Sequence, residues 1–256
     1  MNKKTYEVIS NSPIFCYGAN QNEPEIRPAS IRGHLRRWFK ILGYDNDVNN
    51  ILGGLESSKS QSSKIIVRVD NVNGQQVENK KLPHAKGGKA CEVKSYNTGT
   101  RFDLSITERS PLTKEEREIL YKVIDAWLML GALGSRATRG GGSIADATKT
   151  WNSTKKWQEH ADKLLENALE SAIIDEREYE KYDIRTKITD TISGIDSILG
   201  SAKGHKTSPL KLKVIKIKDK YHIAAIFPKN LFDQKGDLKK LIAQKKQFIF
   251  LEPLTK

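Results

Sequence analysis

Alternation of apolar and polar positions predicts three strands in the first 151 residues. KTYEVI (4–9), KIIVRVDNV (64–72) and TRFDLSITER (100–109) each combine this alternation or β-branched residues with flanking turn residues. GSIADATKTW (142–151) predicts a fourth strand that closes this part of the chain.

Apolar residues at intervals of three to four positions predict two helices between these strands. In the first helix Ile31 starts the apolar stripe, Ser30 is the expected N-cap and Gly43 the expected stop. The second helix opens at Thr113 with a capping box and is expected to end at the triglycine run near residue 140. The resulting order, β-α-β-β-α-β, is typical of a ferredoxin-like unit, in which two helices cover one face of a four-stranded antiparallel sheet.

Two connections stand apart from this pattern. Residues 49–63 read as a small connection without its own structure, and residues 73–99, rich in Lys, Asn and Gly, as a long protruding hairpin or loop. Structureless loops of that length are uncommon inside a compact domain and are often functional.

The remainder of the chain predicts a second α+β unit. A helical stripe runs through 155–174, a loop or short helix is expected at 190–209, two strands at 210–228 join near Asp219, and a helix and short strand follow at 237–253. In the first of the two strands the apolar phase changes at Ile215 and Ile217, which predicts a β-bulge, and its lysines suggest protection against edge pairing. The predicted fold is therefore α+β, with tandem ferredoxin-like (RRM-related) domains at 1–151 and 152–256, the second trimmed or irregular.

The net positive charge of the chain indicates which classes of molecule are expected to bind it. Lys and Arg number 44 against 31 Asp and Glu, a net charge of +13 in 256 residues, which favours nucleic acid or an anionic membrane surface, although excess charge also serves solubility. No apolar run approaches the ~20 residues of a membrane span, and the start lacks a secretory signal, so a cytoplasmic location without membrane association is expected. Two cysteines and five scattered histidines provide neither a disulfide framework nor a zinc site, and we expect no metal or cofactor.

Two stretches concentrate the candidate chemistry. LGSRATRGGGSIAD, from Leu133, sets arginines against three glycines, which suits either an anion approaching bare backbone or merely a tight turn. In the first helix, Arg32, Arg36 and Lys40 lie on one strip, and Gly33 leaves the amino-terminal end open, which favours a phosphate seat over a simple solvated basic face. Because both stretches flank neighbouring strands of the predicted sheet, we expect them to share one surface. The predicted RNA-binding residues are Arg27, Ser30, Arg32, Gly33, Arg36, Arg136, Arg139, Gly140, Gly141, Gly142 and Ser143.

Several stretches together resemble the RAMP superfamily of CRISPR-associated proteins. SPIFCYGANQNEPEIRPASIRGHLRRWFK is similar to the amino-terminal signature of the family, GGLESSKSQSSKIIVRV to its Gly-Gly/Ser element, and LGALGSRATRGGGSI to its later glycine-rich loop. KTSPLKLKV is similar to the second-domain start of the Cmr-type subunit numbered first in type III-B effector complexes. One departure is Gly141, at a position where the family loop often carries an aromatic residue.

The resemblance implies a non-catalytic RNA-binding subunit of a Cmr-type antiviral complex. It would bind the 3′ region of a CRISPR RNA and its duplex with target RNA, and would assemble with other RAMP subunits. The alternative is a metal-independent RAMP endoribonuclease that processes CRISPR RNA with His34 or His84 as general base, although no acid or orienting partner is recognisable. A nucleotide-binding enzyme is disfavoured because no G-x-x-x-x-G-K-[ST] motif is present.

Overall fold

The structure is a computed structural model that describes residues 2–56, 59–81, 92–165, 169–179 and 211–228. Its main sheet is antiparallel and contains β1 (Lys3–Ser10), β4 (Ile65–Asn73), β7 (Arg101–Glu108) and β8 (Ile144–Asp146). The strand order across the sheet is β4-β7-β1-β8. With α1 (Pro28–Ile41) after β1 and α3 (Lys114–Leu130) after β7, this is the predicted β-α-β-β-α-β order.

One hydrophobic core joins the sheet to the two helices. Alternate residues of β1 are buried, such as Val8, and they belong to the same apolar cluster as Leu35 and Phe39 of α1 and Trp127 of α3. The opposite sheet face carries exposed polar residues, as expected for an antiparallel sheet covered on one side.

Helix α1 begins earlier than predicted and ends where predicted. Pro28 occupies the first helical position, where its missing N–H costs nothing, and Arg27 is the N-cap, so the assignment of Ser30 as N-cap is wrong. Beyond the last residue, Gly43 adopts φ +81°. Its N–H donates to the Lys40 carbonyl and the Tyr44 N–H donates to the Phe39 carbonyl, which is the Schellman arrangement of a helix end.

The connection expected at 49–63 is instead structured. Helix α2 (Asp45–Leu52) buries Val48, Ile51 and Leu52, and β2 (Gly54–Glu56) pairs with β3 (Lys59–Gln61). Eight residues give barely two turns of periodicity, so a polar helix of this length is weakly marked in sequence. The hairpin expected at 73–99 is confirmed by β5 (Gln76–Lys81) and β6 (Glu92–Tyr96), whereas its tip lies outside the described residues.

Helix α3 has the predicted capping box but an earlier end. The Thr113 side chain accepts from the Glu116 N–H, and the Glu116 side chain accepts in return from the Thr113 N–H. The helix ends at the cap Gly131, nine residues before the triglycine run that was expected to stop it. The intervening residues form a folded loop instead.

The C-terminal part differs more from expectation. Helix α4 (Thr154–Leu165) is shorter than the predicted helix over 155–174, because the chain continues as β9 (Leu169–Tyr179), paired with β11 (Lys220–Pro228). Together with β10 (Lys211–Ile217) these strands form an antiparallel sheet with the order β10-β11-β9. The predictions over 190–209 and 237–253 lie outside the described residues.

Strand β10 carries no bulge against β11. Its register is continuous from Lys211 to Ile217, and the irregularity lies instead between β11 and β9, near Ile223. Most of β10 is buried, which accounts for the broken alternation of its apolar residues. Lys213 is likewise not a solvent-facing guard against pairing, because it is only 2% exposed.

Strand β10 connects the C-terminal part to the end of α3 and to the glycine-rich loop. The Lys213 Nζ donates to the carbonyls of Leu128 and Gly131, at 2.8 and 2.9 Å, and so satisfies carbonyls at the end of α3. The Val214 N–H donates to the Ser143 hydroxyl at 3.0 Å. These buried contacts hold β10 at a fixed position relative to the loop that carries the triglycine run.

Among the described helices, none has the length and apolar character needed to cross a membrane.

Candidate nucleic-acid interface

The arginines predicted on one strip of α1 face α2. The Arg32 Nη2 donates to the Leu52 carbonyl at 2.6 Å, and its Nη1 donates to the Ser63 hydroxyl at 3.2 Å. Arg36 donates to the carbonyls of Leu52 and Gly53 and to the Asn49 side chain. Both guanidinium groups therefore fasten the carboxyl end of α2 to α1. Arg27 is half-buried as the N-cap, and its carbonyl accepts from the Ile31 N–H.

The triglycine run is a buried turn. Gly140 and Gly142 have φ values of +76° and +62°, and a Cβ on Gly142 would lie 1.8 Å from the Leu133 carbonyl oxygen. The Gly141 N–H donates to the Arg136 carbonyl and the Gly142 N–H to the Pro13 carbonyl. These two amides are used inside the protein, so the tight-turn alternative describes them better than an anion cradle.

Two buried serines surround this turn. The Ser12 hydroxyl donates to the Gly140 carbonyl at 2.6 Å and accepts from the Ser143 N–H at 2.8 Å. The Ser143 hydroxyl donates to the same carbonyl and accepts from the Val214 N–H. Ser143 and the glycines thus fix where the preceding residues, including Arg136 and Arg139, lie.

A different face of α1 forms an open groove with that loop. Gly134, at φ +84°, lies against the Phe15 backbone, and the Ser135 N–H donates to the Phe15 carbonyl at 2.7 Å. This brings the start of the loop beside the amino-terminal half of α1 and encloses a shallow space of about 500 Å³. We call it the α1 groove; it is lined by Phe15, Cys16, Tyr17, Gln21, Ser30, Gly33, His34, Arg37, Gly134 and Ser135.

Gly33 exposes bare helix backbone in the α1 groove. A Cβ built on this residue meets nothing within 4 Å, so no neighbour in the described structure requires glycine there. Its helical backbone does not require it either, because it lies inside α1 and is not among the residues of positive φ. Since glycine costs an exposed helix interior about 1 kcal/mol relative to alanine, its presence points to a close approach from outside.

One cation lines the α1 groove, and three more lie in the adjoining loop and at the start of β10. Arg37 lines it, Arg136 is exposed at φ +62° in the loop, Arg139 is partly buried there, and Lys211 begins β10. Burial, and then the charge of Arg136, lowers the pKa of Arg139 below its ordinary value. The Arg139 Nη1 is buried and has no hydrogen-bond partner among the described residues. We refer to Arg37, Arg136, Arg139 and Lys211 as the cation cluster.

His34 is held as a neutral ring. Its imidazole stacks on Trp127 with ring centroids 6.3 Å apart. Burial, and then the neighbouring charge of Arg37, lowers the pKa of His34 to about 4. His84, the other candidate base, lies outside the described residues.

The uncovered face of the main sheet carries charges of both signs. Glu7 of β1 pairs with Asp103 of β7, which in turn pairs with Asp70 of β4, so three carboxylates form one row across the sheet. Glu7 and Asp70 are exposed. The same face also carries the exposed Lys3, Arg68 and Arg101, which the register places opposite Thr107, Ser105 and Ile9, so its charge neither favours nor excludes a phosphate.

The structure thus divides the predicted RNA-binding residues into those at or near the α1 groove and those with internal contacts, and it brings two further cations near the groove. Ser30 and Gly33 lie in the α1 groove, and Arg136 and Arg139 lie beside it, whereas Arg32, Arg36 and the triglycine run make internal contacts. Sequence reasoning missed Arg37 and Lys211. The spacing of Ser30, Gly33 and Arg37 at i, i+3 and i+7 marks a single helix face and was readable, whereas the position of Lys211 depends on a contact between distant segments.

Comparisons with known proteins agree with this architecture. The model of the RAMP superfamily matches residues 9–145, more than half of the chain. No curated protein sequence matches.

Among solved structures, apo Cmr1 from Pyrococcus furiosus has 17% sequence identity and a TM-score of 0.57, over 88% of this chain and 87% of that one. A chain of the type III-B Cmr-beta complex, bound to cognate target RNA and AMPPnP in the presence of ssDNA, has 12% identity and a TM-score of 0.59, over 94% and 99%. A chain of the complex with cognate target RNA has 10% identity and a TM-score of 0.56, over 88% and 94%. At these identities the likeness concerns the fold, and it agrees with the predicted similarity to the first-numbered Cmr subunit.

Proposed function

We propose that this chain, which belongs to the RAMP superfamily, is a non-catalytic RNA-binding subunit of a type III-B, Cmr-type CRISPR effector complex. Its RNA would be the 3′ region of the guide and the duplex this region forms with target RNA, and its partners would be other RAMP subunits. Solved structures with similar folds support the proposal, because they are Cmr1 and chains of Cmr-beta bound to cognate target RNA.

The observation that carries the proposal is the α1 groove, where bare backbone at Gly33 lies beside the cation cluster. A ribose-phosphate chain needs positive charge along its path and room for its phosphates to approach the protein backbone closely. Arg37 and Arg136 supply exposed charge there, and Gly33 supplies the room.

The state of His34 supports a non-catalytic role. A general base works best when its pKa lies near the working pH, whereas the pKa of His34 falls to about 4 through burial and the charge of Arg37. A weak base stacked on Trp127 suits a packing role better than proton transfer.

We also assign the C-terminal part to a second, degenerate ferredoxin-like unit. Its described elements are α4 followed by β9, β10 and β11, with the strands in one antiparallel sheet. An antiparallel sheet accompanied by a helix is the minimum this assignment requires.

A charge-reversal experiment tests the proposed function. Arg37→Glu with Arg136→Glu should weaken binding of a single-stranded RNA oligonucleotide and should lower the slope of log K against log[salt] by about 1.4, or ~0.7 per phosphate contact. The matched control is Lys114→Glu with Lys155→Glu, an equal change of charge at side chains that are 82% and 72% exposed. Circular dichroism checks that both variants fold.

Three results would contradict the proposal. Absence of RNA retention at low salt by the protein, alone and with its partner subunits, would remove the function. Equal losses from the two double variants would indicate diffuse attraction rather than a site. Specific cleavage of repeat RNA in EDTA that is lost in His34→Ala would establish the ribonuclease alternative.

A further inference from the structure

We propose that Lys211, contributed by the C-terminal part, forms one phosphate-binding site with Arg37 and the loop arginines, so that RNA is held by both parts of the chain at once. This inference rests on the proposed function and names the residues by which it operates. It concerns a residue that neither the helix signature nor the glycine-rich loop contains.

The first step is the position of β10. The Leu212 N–H donates to the Thr138 carbonyl at 3.1 Å, and Leu212 forms a parallel bridge with Arg139. Lys211 therefore begins its strand directly beside the loop that carries Arg136 and Arg139. The buried contacts of Lys213 and Val214 with α3 and Ser143 hold this strand in place.

The second step is the charge that Lys211 faces. Its pKa is lowered to about 8, first by burial and then by the positive charge of Arg37 on α1. The pKa of Arg139 in the adjacent loop is likewise lowered, first by burial and then by the positive charge of Arg136. Among the described residues, the charged group that acts on Lys211 is thus the guanidinium of Arg37, while its partner on β11 is the uncharged Ile226.

The third step is the missing counter-charge. In the part of the chain that the structure describes, no ion pair joins a member of the cation cluster to a carboxylate. Bringing cations together and burying them costs free energy unless an anion compensates them. The Arg139 Nη1, which no described residue accepts from, is one buried donor that such an anion would satisfy.

An RNA phosphodiester fits these three features. Its two non-bridging oxygens accept charge-assisted hydrogen bonds, for which Arg offers a planar fork and Lys a compact point charge. A phosphate between α1 and β10 would contact both parts of the chain, so its binding would depend on their docking. The glycine turn then serves the site indirectly, since its Ser143 also fixes β10.

Substitution of Lys211 in the full-length chain tests the inference. Lys211→Ala should weaken binding of an oligoadenylate about five- to tenfold and reduce the salt slope by about 0.7, the value for one phosphate contact. The matched control is Lys216→Ala, on the same strand but exposed, which should change the affinity less than about twofold. Thermal unfolding of both variants monitors the fold.

A pH series gives a readout that a structural role of Lys211 would not produce. As the pH rises from about 7 to about 9.5, the free protein loses the proton of Lys211, so its affinity for RNA should fall. Lys211→Arg keeps its charge over this range, so its affinity should stay level. Adenine bases do not titrate in this range.

The outcomes separate this inference from the proposed function. If Arg37→Glu with Arg136→Glu weakens binding while Lys211→Ala and the pH series of Lys211→Arg match the unmodified protein, the inference is overturned and the proposed function stands. If the unmodified chain retains no RNA, both are overturned. Loss in Lys211→Ala, together with the level pH series of Lys211→Arg, supports the composite site.

Discussion

Replacing Gly33 by alanine should stabilise the protein while weakening its binding of RNA. Gly33 is the sixth residue of α1 and is exposed, and no atom of the described residues lies within 4 Å of an added Cβ. Alanine is therefore accommodated without strain and gains the helix-propensity difference of about 0.8–1 kcal/mol. The free energy of unfolding of the N-terminal part should rise by about that amount.

Binding should change in the opposite direction. The new methyl group projects about 1.5 Å from the backbone into the α1 groove, which displaces a phosphate lying against Gly33 by a similar distance. At an effective dielectric constant of about 20, lengthening a phosphate–guanidinium separation from ~4 to ~5.5 Å removes roughly 1 kcal/mol of attraction. The affinity for single-stranded RNA should thus fall about sixfold.

The assay combines denaturant unfolding with fluorescence anisotropy of a labelled RNA oligonucleotide at fixed salt. Gly43→Ala, at the other end of α1, is the matched control, because Gly43 also has nothing within 4 Å but adopts φ +81°. That variant should be destabilised by about 1 kcal/mol or more, with RNA affinity unchanged. A stabilised Gly33→Ala that binds RNA like the unmodified chain would refute the argument that RNA approaches this backbone.

Three further substitutions separate structural from binding roles. Arg36→Met should lower the free energy of unfolding, measured with denaturant, by about 1–3 kcal/mol, because it removes charged donors from the Gly53 and Leu52 carbonyls. Its RNA affinity, measured by anisotropy, should not change. A loss of RNA binding with unchanged stability would instead indicate that Arg36 contacts RNA. His34 has a folded pKa of about 4 against 6.5, so its contribution is present above pH 6.5 and is lost as the pH falls through 4. Between pH 7 and pH 4, His34→Gln should therefore lose about 3 kcal/mol less free energy of unfolding than the unmodified chain. Equal losses would contradict a neutral, half-buried ring. Thr113→Ala should cost about 1 kcal/mol through loss of the capping box without altering RNA affinity, as thermal unfolding and anisotropy would show; an unchanged melting temperature would count against that cap.

The N-terminal sheet was predictable because its signals are local. Thr113 and Glu116 mark the start of α3, Gly43 marks the end of α1, and alternation marks β1 and β7. Each of these features follows from neighbouring residues alone. The order of the elements then determines the sheet, since few topologies satisfy β-α-β-β-α-β.

The C-terminal part was less predictable because tertiary pairing overrides its local pattern. In the sequence, the apolar stripe that begins at Trp157 keeps its helical spacing past residue 168. In the structure, however, strand β9 begins at Leu169 and pairs with β11. Lys213 reads as an exposed strand residue, and only the carbonyls at the end of α3 account for its burial. Such partners lie more than eighty residues away in the sequence, beyond the range of periodicity.

The candidate site shows the same division between local and distant causes. From the sequence we found charge and glycine in two stretches and expected both stretches to lie on one surface. Gly33 and Gly134 do lie on one surface, whereas Arg32 and Arg36 face α2. The phase of a helix decides this: Arg32 and Arg36 lie on the α2 side, whereas Gly33 and Arg37 lie on the loop side.

In the proposed site, the triglycine run would therefore act on RNA through position rather than contact. Its left-handed residues Gly140 and Gly142 let Ser12 and Ser143 converge on one carbonyl, and Ser143 then receives β10 through the Val214 N–H. The same turn thus places Arg139 before it and β10 beside it. A side chain at Gly142 would collide with the Leu133 carbonyl, and the resulting shift would separate the loop cations from Lys211. The glycines are then required for the geometry of the composite site even though their amides bind carbonyls of the protein itself.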